Sequence, residues 1–377
     1  MKKLLKRLGI ALGALAVAVA GIFIYGCATA REHVRWETLE ITYDLRYGPR
    51  GDAPGEGTAA YSNTISHVRH DGRLIHTHRT GQFYDLVRTK GTLPETTPVY
   101  LNIHGGAWSE VSDKDGEDFR FLGELARMGF VVVNLDYQMQ EPIFKPGTGE
   151  RPAERPGATF DDMLRDIDLC VSHVRNELAP SLGIKPRAVV IGGGSAGAHL
   201  SCLYAYDGTR PETLGLGLKH ELPVAFAVNV VGPTDLASDD FARPILKHEY
   251  EFGSFFNEES ADRMLSLFGY LVQTDLRSLI ERGELDEARR RLKRYSPIDL
   301  IDGKTPPTVL AYCRVFPWSV GDGCVPASTF YDHCAKLKEN GVPYAGDIRS
   351  WRVHGWLRED FTWWLLDRIA EFKGRYL

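Results

Sequence analysis

Five short apolar runs recur along the chain: VYLNI at 99–103, FVVVNL at 130–135, AVVI at 188–191, VAFAVNVV at 224–231 and TVLAY at 308–312. Each is rich in β-branched residues, shows little apolar/polar alternation and abuts a Gly or Pro, the pattern of a strand buried on both faces. Helical patterns separate them. Within Thr159–Leu178, the residues Phe160, Met163, Leu164, Ile167, Leu169, Val171 and Val174 recur near helical spacing. Asp161, Asp162 and Asp166 near its start suit the helix dipole. A second helix is expected over Ala196–Tyr206. Strands alternating with crossover helices predict an α/β fold, a mostly parallel central sheet covered by helices on both faces.

Residues 64–377 are assigned to this body. From Phe241 to Tyr295 the alternation stops, and runs such as ADRMLSLFGYLV and LDEARRRLKRY predict a helical cap at about 241–295. Residues 31–63, carrying Gly48, Pro49, Gly51, Pro54, Gly55 and Gly57, are expected to be stalk and loops. Residues 1–30 differ in kind. MKKLLKRLG is basic, and IALGALAVAVAGIFIYG lacks charge over nearly the ~18–20 residues that span a bilayer. In the following IYGCATA, Ile24, Gly26 and Cys27 are similar to a bacterial lipobox, which would make Cys27 a lipidated first residue. An uncleaved anchor helix and cleavage after Ala28-Thr29-Ala30 are the other readings. All three predict an exported domain, and the first two hold it to the membrane at the cell envelope.

The run AVVIGGGSAGAHL fits two patterns at once. Gly192, Gly194 and Gly197 make G-x-G-x-x-G, which cradles a dinucleotide pyrophosphate; Gly193, Ser195 and Gly197 make G-x-S-x-G, which presents a nucleophile. Both ask for a strand before and a helix after, so the turn alone does not decide. The dinucleotide pattern also wants an acidic residue ending the next strand, and Glu212 and Glu221 both precede VAFAVNVV.

Other parts of the chain favour the nucleophile. His104-Gly105-Gly106-Ala107-Trp108 follows the first buried strand, where a glycine loop lets backbone N–H groups approach an oxyanion. Gly106 with Gly105 or Ala107 supplies candidate donors, joined by the N–H of Ala196. Downstream, Asp322 in the loop CRVFPWSVGDGCVP and His354 in RVHGW, after a strand-like run near 348–353, stand in the order Ser, acid, His. His354 would take the Ser195 proton as general base, and Asp322 would hold its tautomer. Among rivals, His199 lies on the helix of Ser195 and is assigned to packing. His220, His248 and His333 follow no strand; Asp299 and Asp302 precede TVLAY, and Asp347 lies within a strand run.

In series, FYDLVR, NIHGGAW, VVVNLDYQ, TFDDMLRDID, IGGGSAGAHL, VVGPTDL, SPIDL and PPTVL, with Asp322 and His354, resemble the α/β-hydrolase fold from about Tyr84 onward. Specifically, they resemble the carboxylesterase group with an HGG-x-W oxyanion loop, related to hormone-sensitive-lipase-like and prolyl-oligopeptidase-type enzymes. Ala107 replaces the last glycine of HGGG, DYQMQEP replaces a Y-R-L-A-P-E-like run, and the acid loop lacks a preceding H-G. The resemblance implies a serine hydrolase cleaving carboxylic esters, of short acyl or acylated-sugar type, through an acyl-enzyme with no cofactor or metal. A peptidase or amidase, or a non-catalytic binding protein of the same fold, are the alternatives.

A formal charge of −5 gives no basic field for a polyanion, so no nucleic-acid partner is expected; Arg289–Arg294 reads as a solvated helix face. His67, His70, His76 and His78 lack an accompanying Asp, Glu or Cys cluster, and no metal is assigned to them. Apart from Cys27 there are five cysteines, an odd number that leaves at least one thiol free; Cys324 and Cys334 are the expected pair by proximity, with connectivity open.

Overall fold

The computed structural model describes residues 31–51, 67–68, 74–75, 81–109, 113–114, 117, 119–140, 157–247, 258–355 and 357–377. The chain divides into two units, Met1–Arg35 and Trp36–Leu377. Cys27 and the rest of the N-terminal segment lie outside the described residues, as do His70, His76 and His78.

Among the described residues the second unit has ten strands: β1 (Leu39–Gly51), β2 (His67–Val68), β3 (Leu74–Ile75), β4 (Gly81–Thr89), β5 (Val99–Ile103), β6 (Val131–Leu135), β7 (Val189–Gly194), β8 (Val224–Val230), β9 (Thr308–Cys313) and β10 (Tyr344–Arg349). β2 and β3 pair with each other, and the other eight form one sheet in the order β1-β4-β6-β5-β7-β8-β9-β10. Within the eight-stranded sheet β4 runs antiparallel to both neighbours and the other pairings are parallel, while β2 and β3 are antiparallel. All five apolar runs are strands of this sheet, and the fold is the α/β-hydrolase type. β5, β6 and β9 are buried throughout, which explains why they read as continuous apolar runs.

Among the described residues the helices of six residues or more are α1 (Phe119–Arg127), α2 (Phe160–His173), α3 (Ala196–Asp207), α4 (Asp239–Leu246), α5 (Glu258–Leu271), α6 (Leu276–Glu281), α7 (Leu285–Lys293), α8 (Ala327–Glu339) and α9 (Arg358–Tyr376). α2 opens on a capping box: the Thr159 side chain accepts from Asp162 N while Asp162 accepts from Thr159 N, a cap worth about 1 kcal/mol. It buries Phe160, Met163, Leu164 and Ile167 and packs on α3, while α1 packs on α9. Every residue of α3 is buried, so it carries no polar stripe. Helices α4 to α7 fill the region expected to form a cap. There Arg289 pairs with Asp239, and Arg290 and Arg291 pair with Glu287.

Three expectations are corrected. Residues 31–63 are not all stalk and loop, because Leu39–Gly51 forms β1, hydrogen-bonded to β4 with register shifts after Thr42 and Arg46. Gly48 and Pro49 are tolerated there because β1 is an edge strand, whose outer side needs no donors. The last strand is β10 at 344–349, ahead of the expected 348–353; Trp351 and Arg352 instead bond the acid loop, donating to the Val315 and Arg314 carbonyls. Cys324 and Cys334 do not pair, since all five described cysteines are free thiols.

The order β6-β5-β7 contains the reversal that positions the site. From β5 the chain winds one way to β6 and then back across to β7, which opens a crevice beyond the carboxyl ends of β5 and β7. Ile103 and Gly193 face each other there, so the HGGAW loop and the Ser195 turn emerge side by side.

Candidate active site

Ser195 occupies a sharp turn between β7 and α3, with φ 52° and ψ −119°. A serine in this region is strained, and the surrounding bonds hold it: Ser195 N donates to Val230 O at 2.8 Å, and Ser195 O accepts from His199 N at 3.1 Å. The glycines divide by need. A Cβ at Gly193 would run into the Ile103 carbonyl, and one at Gly197 into the carbonyls of Ile103 and His104, whereas one at Gly194 would meet nothing within 4 Å. The two glycines of the G-x-S-x-G pattern are thus those that let β5 approach the turn. At Gly192 the obstacle is the Tyr100 hydroxyl.

His354 Nε2 lies 2.7 Å from Ser195 Oγ, and His354 Nδ1 lies 2.7 Å from Asp322 Oδ2. Asp322 is fully buried, and its other oxygen, Oδ1, accepts from the backbone N–H groups of Cys324 at 3.0 Å and Val325 at 2.8 Å. An ionised carboxylate only accepts. The Asp322 contact therefore keeps the proton on His354 Nδ1 and leaves Nε2 to accept from the Ser195 hydroxyl.

The loops carrying these side chains are pinned from both sides. In the acid loop, Val315 N donates to Gly321 O at 3.0 Å and Ala327 N to Val320 O at 2.6 Å. Ahead of His354, the nearly buried Arg352 grips both oxygens of Asp360 at 2.9 and 2.7 Å and donates to Leu357 O at 2.9 Å. Sequence reasoning missed Arg352, and an Arg two residues before a candidate base was the available signal.

The HGGAW loop lies against the nucleophile turn. A Cβ on Gly105 would sit 3.1 Å from Gly194 O and 3.5 Å from Ser195 Cβ. Gly106, Ala107 and Trp108 have φ of 106°, 52° and 56°, a left-handed run that turns the backbone back on itself. Its anchors are His104 Nδ1 donating to Gly105 O at 2.7 Å, Tyr137 stacked on the His104 ring at 4.4 Å, and Gln140 N donating to Trp108 O at 3.0 Å. Among the described residues, the N–H groups of Gly106, Ala107 and Ala196 donate to no backbone carbonyl outside regular elements. Ala196 opens α3, where the first N–H groups have no helical partner and the dipole favours negative charge. The candidate oxyanion donors Gly105, Gly106, Ala107 and Ala196 thus sit on the two loops that meet at the crevice.

The described rival residues are engaged elsewhere, and His248 lies outside the described residues. His220 faces Asp207 at 3.2 Å, and His333 faces the Tyr206 hydroxyl at 2.8 Å. Asp302 pairs with Arg210, and Asp347 with Arg349. His199 is wholly buried, and burial pushes its pKa down to about 4. The neutral ring accepts the Trp108 indole N–H at Nδ1, 3.1 Å away, and its Nε2 donates to Tyr295 O at 2.8 Å. Trp108 also meets Phe268 of α5 at 5.4 Å between centroids. An exposed aromatic group completes the surroundings: Phe316 and Trp318 stack at 5.5 Å, with Trp351 edge-on to Phe316 at 5.3 Å, and Trp318 is 77% exposed.

Against known proteins, residues 85–314 match the family described as BD-FAE. Esterase LipQ of Mycobacterium tuberculosis is 26% identical over 155 residues, covering 40% of this chain and 33% of that protein. The probable carboxylic ester hydrolase LipM of the same organism is 29% identical over 120 residues, covering 32% and 24%. The chain thus spans a third or less of the length of these relatives. Esterase B from Lactobacillus rhamnosis superposes with a TM-score of 0.57 at 15% identity, covering 97% of this chain and 95% of that one. A bacterial heroin esterase gives 0.56 at 17% identity, covering 94% and 90%.

Proposed function

The chain belongs to the BD-FAE family, and we propose that it hydrolyses carboxylic esters through an acyl-enzyme on Ser195. The observation that carries this reading is the unbroken series from the buried Asp322 carboxylate through His354 to Ser195 Oγ, each contact 2.7 Å. As Oγ attacks the ester carbonyl carbon, His354 Nε2 takes its proton, and Asp322 stabilises the resulting imidazolium. The carbonyl oxygen becomes an oxyanion facing the N–H groups of Ala196, Gly106 and its neighbour. Such donors are each worth ~100 to 1,000-fold in turnover. Collapse breaks the bond to the alkoxide, which leaves with the proton from His354. A water, deprotonated by His354, then attacks the acyl carbon and restores Ser195.

For substrates we propose short-acyl or acylated-sugar esters. Support comes from the Phe316, Trp318 and Trp351 group, carried by the loops of Asp322 and His354, whose exposed ring faces suit an apolar ring face of a ligand. A structural neighbour at 14% identity is itself a truncated carbohydrate esterase from gut microbiota. We also propose that residues 1–30 export the domain and attach it to the envelope, by lipid on Cys27 or by an anchor helix. The basic start followed by an uncharged apolar run supports this. A series of p-nitrophenyl esters of increasing acyl length, with an acetylated glycoside, tests the reading: hydrolysis falls with chain length and is lost in Ser195→Ala. Undiminished hydrolysis by that variant overturns it. Fractionation with mass analysis of the Cys27 peptide tests attachment; a soluble chain cleaved after Ala30 contradicts it.

A further inference from the structure

We infer that His199 is a positioning residue of the oxyanion loop, holding the donors of Gly106 and Ala107 in place through the indole of Trp108. The inference rests on the esterase reading of Ser195.

Ala107 and Trp108 both hold left-handed backbone although neither is glycine. Such conformations persist only where the surroundings over-determine them. At Trp108 the surroundings are specific. Its Nε1–H donates to His199 Nδ1 at 3.1 Å, its carbonyl accepts from Gln140 N at 3.0 Å, and its ring makes edge contacts with Phe160, His199 and Phe268. The imidazole is fixed in turn, since its Nε2 donates to Tyr295 O at 2.8 Å. Flipping the ring would forfeit both bonds in a fully buried site.

His199 lies one turn after Ser195 on α3, its N–H bonded to Ser195 O. The helix that carries the nucleophile therefore also carries the group that holds the opposing loop, so nucleophile and oxyanion donors are registered on one rigid element. A histidine serving only to fill the core would need no acceptor aimed at one indole N–H. Burial keeps the ring neutral at ordinary pH, so that acceptor persists.

The experiment compares His199→Leu, His199→Asn and Trp108→Phe, with kcat corrected for active sites counted by fluorophosphonate labelling and folding checked by circular dichroism. Leu removes the acceptor, Asn keeps an oxygen near the place of Nδ1, and Phe removes the indole N–H while keeping a ring. His199→Leu and Trp108→Phe are expected to lose about tenfold or more in kcat with KM within about threefold, while His199→Asn stays near wild type. Because the loop acts on the transition state, the inhibition constant of a trifluoromethyl ketone should weaken in proportion to kcat/KM. The double variant should be no worse than the poorer single one. If folded Trp108→Phe and His199→Leu turn over at the wild-type rate per labelled site, or lower stability alone, the inference is overturned. A wild-type protein that neither hydrolyses esters nor takes the label instead removes the esterase reading.

Discussion

The carbonyl of Ile103, the last residue of β5, occupies the space that a Cβ on Gly197 would need at the start of α3. It blocks Gly193 in the same way, so strand β5 is seated directly on the nucleophile turn. Gly193→Ala and Gly197→Ala would push backbone against backbone. Each is expected to cost about 1–3 kcal/mol or more and to abolish ester turnover. Gly194→Ala has open space and should stay within about 1 kcal/mol of wild type. Thermal denaturation of the three variants checks the ranking, and equal damage at Gly194 would contradict it. The dinucleotide pattern, which needs Gly194 but not Gly193, predicts instead that Gly194→Ala is damaging.

Asp322 is held so that one oxygen can face His354. Oδ1 already accepts two backbone N–H groups, so in Asp322→Asn the amide oxygen must stay there and the NH2 must turn toward His354 Nδ1. That forces the imidazole proton onto Nε2 and leaves no base for Ser195. We expect kcat to fall about 10,000-fold with KM little changed. Steady-state kinetics at neutral pH measures this, and a loss below tenfold would remove Asp322 from the series.

Two buried histidines make stability depend on pH. Burial lowers the pKa of His199 to about 4 and of His333 to about 3, both below the ordinary 6.5. As pH falls below 6.5 the unfolded chain takes up these protons while the folded one does not. The stabilisation is therefore complete above about 6.5 and is lost progressively toward 4 and 3. From pH 7 to 5 the two together should cost roughly 3–4 kcal/mol. Urea unfolding across that range measures the slope, and His333→Gln should remove about half of it. An unchanged slope would show that His333 titrates normally in the folded protein.

Much of this was legible in the sequence because burial on both faces leaves a plain signature. VYLNI, AVVI and TVLAY are dominated by apolar residues because β5, β7 and β9 are buried along nearly their whole length, and Gly193 and Gly197 are fixed by a steric need. β1 escaped although LEITYDLRY alternates apolar and polar residues, because Gly48, Pro49 and Gly51, which an edge strand tolerates, give its end the composition of a loop. The bonds from His199 to Trp108 and from Arg352 to Asp360 were hidden for another reason. The first joins residues whose meeting depends on strand order, with His199 on a helix buried all round where no periodicity marks one side chain from another, and the second runs from the loop ahead of α9 to Asp360 on that helix.

The central claim, that Ser195 becomes acylated with His354 as its base, is tested most directly by mass analysis after reaction with a fluorophosphonate ester. The account predicts one adduct per chain, on the peptide containing Ser195, absent in Ser195→Ala and formed at least 100-fold more slowly in His354→Ala, by analogy with loss of a general base. An unlabelled folded wild-type chain, an adduct on another residue, or labelling unaffected by His354→Ala would contradict it.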